Sequence, residues 1–574
     1  MPTRKSSTGI DVSDEELSGP KVDRRTALKL MQAVGLGGIA GLAGCTSGEQ
    51  TPQNGDTGGS GDGDDSGSGS TPSEDSRGGR LVAGWNANEI NQIDPHFSTL
   101  TFSTHLIGNF FSGLLEVKED FSVQGDLASD WEVQNGGESI TFELVENASF
   151  HNGNDFTAED VKYSFNRVVE EETPHANKFA SLQPINDGGV VVEDDYTVTL
   201  NFQRAFAPIL IFLTPDLGNA GAIVSQQAVE EMGKDQFGIT PVGTGPFKIV
   251  EHSLGSTMKL DAHEGYHKTD DEGTQLPYLD GLDIEPLKEA TTRVSAIRTG
   301  DVDFLNLAPA AQSDQLASDD SVALESTMGP NFGGLAFNTN VEPFGDRKVR
   351  RAVAKALDAE RYVEEALLSR GVADNGIYSP AHGWVFREEF GEANDQKPPD
   401  QRYNPEEARQ LAEEAGIMGL EVDMLVSQPE QRGAQVLRTL LSEELDWTVN
   451  INTGDFSTIF ERIQNGNFTL IPWGNSVAPD PDVLTYGVFG PIGSTGNYWG
   501  YDDEELLELL ETQRTQLDTD ERKETLWDVE DHIIREAPWV LLEHQEALSA
   551  RRNNVENYTH FGVIFRFREV WLTE

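Results

Sequence analysis

The chain is expected to fold as an α/β protein with mixed sheets and at least two lobes. Two observations predict this. From Arg80 onward, runs of helical period alternate with short apolar runs of strand length. The stretch from Arg80 to Glu574 also exceeds the roughly 250–300 residues at which a single hydrophobic core stops growing. No internal repeat is visible.

The elements follow in chain order. Residues 81–85 open as a strand, and Asp94-Pro95 marks a turn after Asn-rich punctuation. Residues 104–115 read as a helix packing onto that strand. At 140–144, Ile-Thr-Phe-Glu-Leu alternates apolar and polar residues, as a half-buried strand does. Thr157 stands three residues before Asp160 and ahead of an apolar-periodic run to Val168, the pattern of a capping box and its helix. Residues 190–202 show a turn between two alternating runs, a strand pair. Amphipathic helices are expected over 347–367, 405–415, 431–445, 457–464, 504–516 and 519–535, with short strands at 421–426 and 468–473.

Ahead of this body lie two segments of different character. Arg24-Arg25 precedes an uncharged run from Met31 to Leu42, too short for the roughly 20 residues of a membrane-spanning helix. A charged start, a short apolar stretch and small residues before a cleavage point are the layout of an export signal. The paired arginines suggest the twin-arginine route, a receptor-read address. Leu42-Ala43-Gly44-Cys45 resembles a lipobox, and Cys45 is the only cysteine. Residues 1–44 are therefore assigned to the signal, with Cys45 as the lipid-modified first residue of the mature protein. Residues 45–79 follow as a disordered tether. Its Gly, Ser, Thr, Asp and Pro bury too little to offset the entropy of ordering. At 5–6 Å × √n it reaches about 30 Å on average, enough to hold a globular body off a membrane.

Composition narrows the partners. The 98 acidic residues outnumber 42 basic ones, and the formal charge of −56 is spread along the whole chain. Such self-repulsion disfavours a compact state unless salt screens it. At molar salt the screening length falls to about 3 Å. The chain reads as an extracellular, haloarchaeal-type protein of a high-salt setting. Nucleic acid is excluded as a partner, because phosphate binding needs basic stripes and none is present. Without paired cysteines, folding outside the cell relies on core burial.

The search for chemistry returns little. There is no G-x-x-x-x-G-K-[ST], no H-E-x-x-H and no G-x-S-x-G, and no cofactor is expected. His263 and His267 have the spacing of helical metal ligands, but Gly265 lies between them; they read as a solvated loop pair, and no metal is expected. Asp480-Pro481-Asp482 and Asp502-Asp503-Glu504 could supply carboxylate pairs for glycoside hydrolysis, which chance readily provides among 98 acids.

A resemblance then becomes specific. Leu127-Ala-Ser-Asp-Trp131, Ile140-Thr-Phe142-Glu-Leu144, Phe150-His-Asn-Gly153 and Phe156-Thr-Ala158-Glu159-Asp160-Val161 through Arg167 occur in order. Pro241-Val-Gly243-Thr244-Gly245-Pro246-Phe247, Ile297-Arg-Thr-Gly300-Asp301-Val-Asp303, Pro343 through Asp358, and Tyr403 through Gly416 follow. The series resembles the family 5 extracellular solute-binding proteins, receptors of ABC importers for oligopeptides, dipeptides, nickel and some oligosaccharides. The match runs from Leu81 to the C-terminus. Most of these residues keep the fold: Thr157 and Asp160 cap a helix, Gly243 and Gly245 permit a tight turn, and Trp131 and Arg167 read as structural.

The resemblance implies a two-lobed, periplasmic-binding-protein-like architecture with a hinge. Lobe one would take 80–118, 241–335 and 536–574, an inserted subdomain 119–240, and lobe two 336–535. The solute would sit between the lobes and pass to a membrane permease with its ATPase subunits, without covalent chemistry. A monomer is expected.

In peptide-binding members, a Trp-x-x-Asp segment of lobe two offers a carboxylate to the ligand's α-amino group. Here the run is Trp473-Gly474-Asn475-Ser476-Val477-Ala478-Pro479-Asp480-Pro481. Counted from Trp473 the acid's place holds Ser476, and counted back from Pro481 it holds Val477. The acid is missing unless Asp480 reaches in, and a desolvated ammonium needs a charge-assisted acceptor. Asn475, Ser476 and the face of Trp473 could equally hold a neutral polyol or sugar. Thr99 and Thr101 fall where members of the family hydrogen-bond an extended ligand's backbone. Trp384, Tyr498 and Trp499 are loop aromatics that could floor a pocket. The expected solute is peptide-like, with an oligosaccharide as the alternative and a secreted hydrolase as the reading from another class.

Overall fold

The structure, a computed structural model, describes residues 77–87, 90, 92–99, 101–216, 219–253, 255–475, 480–491, 497–562 and 564–573. Arg24, Arg25, Cys45, Ser476 and most of the tether lie outside these residues, as do the side chains of Thr101 and Asn475.

Where the sequence carries its own start and stop signals, the elements form as expected. Helix Ala158–Glu170 opens on a capping box, with the Thr157 N–H donating to Asp160 Oδ2 at 3.0 Å. Helix Pro405–Ala415 has proline at its first position, Asn404 accepting from the Glu407 N–H at 3.1 Å, and Gly416 closing it at φ 70°. Two expectations fail for tertiary reasons. Residues 104–115 form two single turns, Thr101–Thr104 and Ile107–Phe110, and then enter strand Leu115–Val117. Asn109 is drawn out to hydrogen-bond the Phe565 carbonyl and the Phe567 N–H, and Gly113 passes so close to the Leu213 carbonyl that a Cβ would stand 2.4 Å from it. Residues 347–367 divide into Arg347–Ala356 and Ala359–Ala366, because Leu357 turns extended and Asp358 caps the second helix through the Arg361 N–H.

One 12-stranded sheet runs through both lobes. The lobe-two half is ordered Thr448–Gly454, Glu421–Ser427, Leu470–Asn475, Phe332–Phe337. The lobe-one half is ordered Phe304–Leu305, Arg80–Trp85, Gly281–Pro286, Met258–Ala262, Phe247–Glu251. The long strand Trp539–Arg552 joins them: its start pairs with Phe332–Phe337, and its end pairs with Val322–Met328 and Phe304–Leu305. The chain thus crosses between lobes at 329–331 and at 544–545, where the Gln545 N–H donates to Asn331 Oδ1 at 2.7 Å and Asn331 Nδ2 donates to the Gln545 carbonyl at 2.9 Å. Residues 332–335 and 539–543, expected in lobe one, are therefore hydrogen-bonded into the lobe-two sheet. A strand that serves both sheets carries no breaker at the boundary for a sequence to show.

In lobe two, Glu421–Ser427 runs parallel to both Thr448–Gly454 and Leu470–Asn475, so their carboxyl ends share one edge. That edge is where open α/β sheets take ligands. One face of this sheet buries Val349, Leu437, Leu441 and Trp447, and the other Trp499, Leu526, Ile533 and Trp539. Within 119–240, a four-stranded sheet (Ala128–Gln134, Ser139–Leu144, Thr197–Asn201, Val190–Asp194) packs on helix Ala158–Glu170 around its own core of Phe142, Phe165 and Leu200.

Candidate ligand cleft

The lobe-one wall begins at a buried ion pair. Arg167 donates to both oxygens of Asp94, at 2.9 and 2.5 Å, and both side chains are almost wholly buried. Its Nη1 also donates to His96 Nδ1 at 3.0 Å, which leaves the His96 Nε2–H for the Ala222 carbonyl at 2.9 Å. Burial and the adjacent guanidinium push His96 down to about 4, so the ring is neutral. Two residues on, the Ser98 carbonyl accepts from His175 Nε2 at 2.8 Å and from Asn219 Nδ2 at 3.2 Å. Half-buried Thr99 leaves this pinned segment, and Thr101 starts the next single turn. The subdomain, through Arg167, His175 and Asn219, therefore positions the lobe-one loop.

On lobe two, Trp473 and Gly474 lie at the carboxyl end of strand Leu470–Asn475, opposite Gly334 and Gly333. Trp473 is only 6% exposed, stacked on Phe456 at 5.9 Å and lying 6.4 Å from Trp499. Trp499 is itself buried against Trp539 at 4.7 Å. An open indole face at Trp473 or Trp499 is thus replaced by core packing, while Tyr498 and Trp384 remain half-buried. Tyr498 sits edge-on to Phe460 at 6.2 Å, and the Trp384 ring is 5.8 Å from the Arg522 guanidinium.

Asp480 is not a free acid. It caps helix Pro481–Phe489, accepting from the Asp482 N–H at 2.8 Å, and Arg522 occupies both its oxygens at 2.8 and 2.5 Å. Arg522 also donates from Nε and Nη2 to Gln513 Oε1, at 3.1 and 3.0 Å. Gln513 Nε2 in turn donates to Asp482 Oδ1 at 2.6 Å, and burial pushes Asp482 up to about 6. These acids form a closed structural network. Asp503 likewise caps helix Glu504–Gln513 through the Leu506 N–H at 2.9 Å. The histidine pair, expected in solvent, is buried instead: His263 Nδ1 meets the Gly245 carbonyl at 3.2 Å and His267 Nε2 meets Asp126 Oδ1 at 3.0 Å. Among the described residues, no three His, Cys, Asp or Glu side chains converge as a metal site.

The lobes touch across the cleft. Arg514 of lobe two lies between Tyr486 (3.7 Å) and Phe206 of the subdomain (4.8 Å), and its carbonyl accepts the Ala207 N–H at 2.7 Å. Beside it Arg204 pairs with Glu511 at 2.8 Å. At a second contact, Ala381 of lobe two packs with Val117, Phe121 and Phe561. A cavity of about 490 Å³ borders Phe561, but its arginines are already spent, Arg566 on Asp216 and Arg568 on Glu116.

Two lobes of mixed sheet, two strand crossings and a closed seam describe a hinged binding protein. The family model of bacterial extracellular solute-binding proteins, family 5 Middle, matches residues 122–496. The chain belongs to this family. Heme-binding protein A of Haemophilus influenzae is 26% identical over 476 residues, 78% of this chain and 84% of that protein. The dipeptide-binding protein of Escherichia coli K12 is 24% identical over 464 residues, 75% of this chain and 83% of that protein. The solved dipeptide binding protein of Pseudoalteromonas sp. SM9913 in complex with Met-Leu aligns at TM-score 0.71 and 22% identity, over 86% of this chain and 100% of that one. At that identity the likeness shows the two-lobed fold alone.

In this family 5 solute-binding protein, the sequence reading passed over a group of buried ionisable residues at the hinge. Glu543 is 3% exposed and sits where the strand pairing slips, opposite Gly333; a Cβ on Gly333 would stand 2.0 Å from Glu543 Oε1. Its Oε1 accepts from Gln545 Nε2 at 3.2 Å, and its Oε2 has no partner. Burial pushes Glu543 up to about 7. Glu430, ending the turn Gln428–Glu430 beyond strand Glu421–Ser427, is pushed up to about 7 by burial and by Glu543. The neighbouring His544 is committed elsewhere: Nδ1 to the Asn331 carbonyl at 2.5 Å, Nε2 at 3.5 Å from Asp374, which raises the imidazole against the opposing effect of burial. The available signal was an acid closing the apolar run Trp539-Val-Leu-Leu-Glu543.

Proposed function

We propose that the protein is a lipid-anchored receptor on the outer face of the cell membrane. It captures a peptide-like solute between its lobes and delivers it to an ABC permease and its ATPase subunits. The observation that carries this reading is the hinge: two lobes joined by crossings at 329–331 and 544–545 and closed on each other through Arg514 and Phe206. Such a body can enclose a solute and release it by opening. The dipeptide-binding names of the relatives favour a peptide, and their being binding proteins favours capture without turnover. In this reading the solute would be contacted by Thr99 and Thr101 from lobe one and by Gly474, Asn475, Ser476, Trp384 and Tyr498 from lobe two, with Trp473 buried in the lobe-two core. Cys45 would carry the lipid after export directed by Arg24 and Arg25, and the receptor would act as a monomer in high salt.

A neutral oligosaccharide is the second reading, favoured by the lack of a free acid between Trp473 and Asp480. Calorimetry on the full chain in multimolar KCl separates the two, with di- to hexapeptides, their N-acetyl copies and oligosaccharides as probes. Saturable stabilisation of about 2.7 kcal/mol at a hundredfold excess over Kd is expected for a peptide. Stabilisation by sugars alone would replace the peptide, and product formation would replace the receptor. In the same preparation Cys45→Ser should move the protein from membrane to medium.

A further inference from the structure

Several buried carboxylates in this protein are matched with arginines, while Asp374 has only His544, at 3.5 Å. Asp94 has Arg167, Asp480 has Arg522, Glu116 has Arg568, and Asp216 has Arg566. This is what burial demands, since a desolvated charge without a partner is strongly disfavoured. Buried Glu543 and its half-buried neighbour Glu430 have no such match. Among the described residues, neither is ion-paired with a lysine or arginine, and one oxygen of the almost fully buried Glu543 accepts nothing. His544, next in the chain, favours the ionised form of Glu543, but both its nitrogens face other acceptors, Asn331 and Asp374. Tyr362, buried beside the two acids, is held neutral by burial and by their charge. The pair is one positive charge short.

Its position says what could supply that charge. Gly333 is paired on one side with Gly474, in the segment expected to hold the amine anchor, and on the other with Glu543. With strands about 4.8 Å apart, the Glu543 backbone stands roughly 10 Å from Gly474. Glu430 lies beyond the carboxyl end of Glu421–Ser427, on the same sheet edge as Trp473 and Gly474. Gly474, in the run that lacks the anchoring acid, and Glu543, an acid left over, are thus separated by one strand, at the hinge. Only a glycine at 333 leaves Glu543 room there.

We propose that Glu543, supported by Glu430, is the receptor's cation-binding subsite and accepts the ammonium group of the solute. Without solute, buried Glu543 holds a proton; the incoming ammonium displaces it. The inference rests on the peptide reading above and names the charge that reading needs.

The test is titration of the full chain in multimolar KCl with Met-Leu and N-acetyl-Met-Leu. Wild type should lose roughly 10- to 100-fold in affinity on acetylation, the worth of a charge-assisted hydrogen bond. Glu543→Gln should bind Met-Leu more weakly by a similar factor and cease to discriminate between the two probes. Glu430→Gln should show a smaller loss in the same direction. Wild-type affinity for Met-Leu should rise between pH 5.5 and 7.5 as Glu543 loses its proton, and this slope needs no variant to fold. A Glu543→Gln protein with wild-type affinity and discrimination, or a flat wild-type pH profile, overturns the subsite alone. Binding of neither probe by wild type overturns the peptide reading and the subsite with it.

Discussion

At the start of helix Pro481–Phe489 the Asp480 carboxylate is gripped on both oxygens by Arg522, while at the hinge Glu543 keeps an oxygen free and has a second acid, Glu430, for a neighbour. Asp480 and Glu543 are both buried in lobe two. The first is closed: Arg522, Gln513 and Asp482 use one another's polar atoms, and a ligand would have to break that network to enter. The second is open in the chemical sense, because its remaining demand is a cation that the chain does not provide. Structural acids and recognition acids can therefore be told apart here by whether the protein itself completes them.

The largest effect that could break this contrast is at Arg522. Its replacement by Met leaves Asp480 buried and unpaired and should lower the unfolding free energy by about 3–5 kcal/mol, read from denaturant melts. Replacing both partners, as Asp480→Asn with Arg522→Met, should recover most of that loss, because no uncompensated charge remains. A single variant that unfolds like wild type would show that Asp480 is not structurally committed and is free to serve as an anchor.

The hinge acids should behave in the opposite way. Their folded-state pKa of about 7 lies above the unfolded value, so the stability they contribute is fully present in acid and is lost as pH rises through 7. Glu543→Gln removes that loss. Between pH 5 and pH 8 the variant should gain on wild type by roughly 2–3 kcal/mol in unfolding free energy, with little difference at the acid end. Parallel pH profiles of the two proteins would mean that a cation already compensates Glu543.

How much of this was legible follows from where the signals sit. Helices Pro405–Ala415 and Gln431–Leu445 stand where the sequence placed them, because their periods and, for the first, its caps are local. Residues 104–115 were misread because Asn109 and Gly113 answer to residues 213 and 565–567, which no local window contains. Trp473, singled out for an open face, is buried by partners that a local window does not contain, and the state of Asp480 depends on an arginine 42 residues away. One hint existed. Arg522 falls on the same helical stripe as Leu526, Val529 and Ile533, and a charge on an apolar stripe needs a buried partner. Glu543 offered less, since only the strand slip at Gly333 and the lack of a nearby cation distinguish it from other acids.

The smallest effects lie at the seam, where the same contrast recurs between a buried and an exposed contact. Arg514 is held by stacking between Tyr486 and Phe206 and by a buried ion pair to Asp482 at 3.2 Å, whereas Arg204 meets Glu511 with 57% of its side chain exposed. An exposed pair contributes at most about 1 kcal/mol, and at molar salt a screening length of about 3 Å removes most of that. Planar stacking is less exposed to screening and is specific to a guanidinium, so Arg514→Lys keeps the charge and loses the contact. Arg514→Lys should therefore shift the ligand-free protein toward the open form and weaken solute binding about fivefold, whereas Arg204→Ala should change it less than twofold. Small-angle scattering with and without solute reads the opening directly. A larger effect of Arg204→Ala than of Arg514→Lys in multimolar KCl would show that charge, not stacking, closes the seam. The buried side of the seam would then be held by the Ala207 N–H bond to the Arg514 carbonyl, a backbone contact that both variants retain.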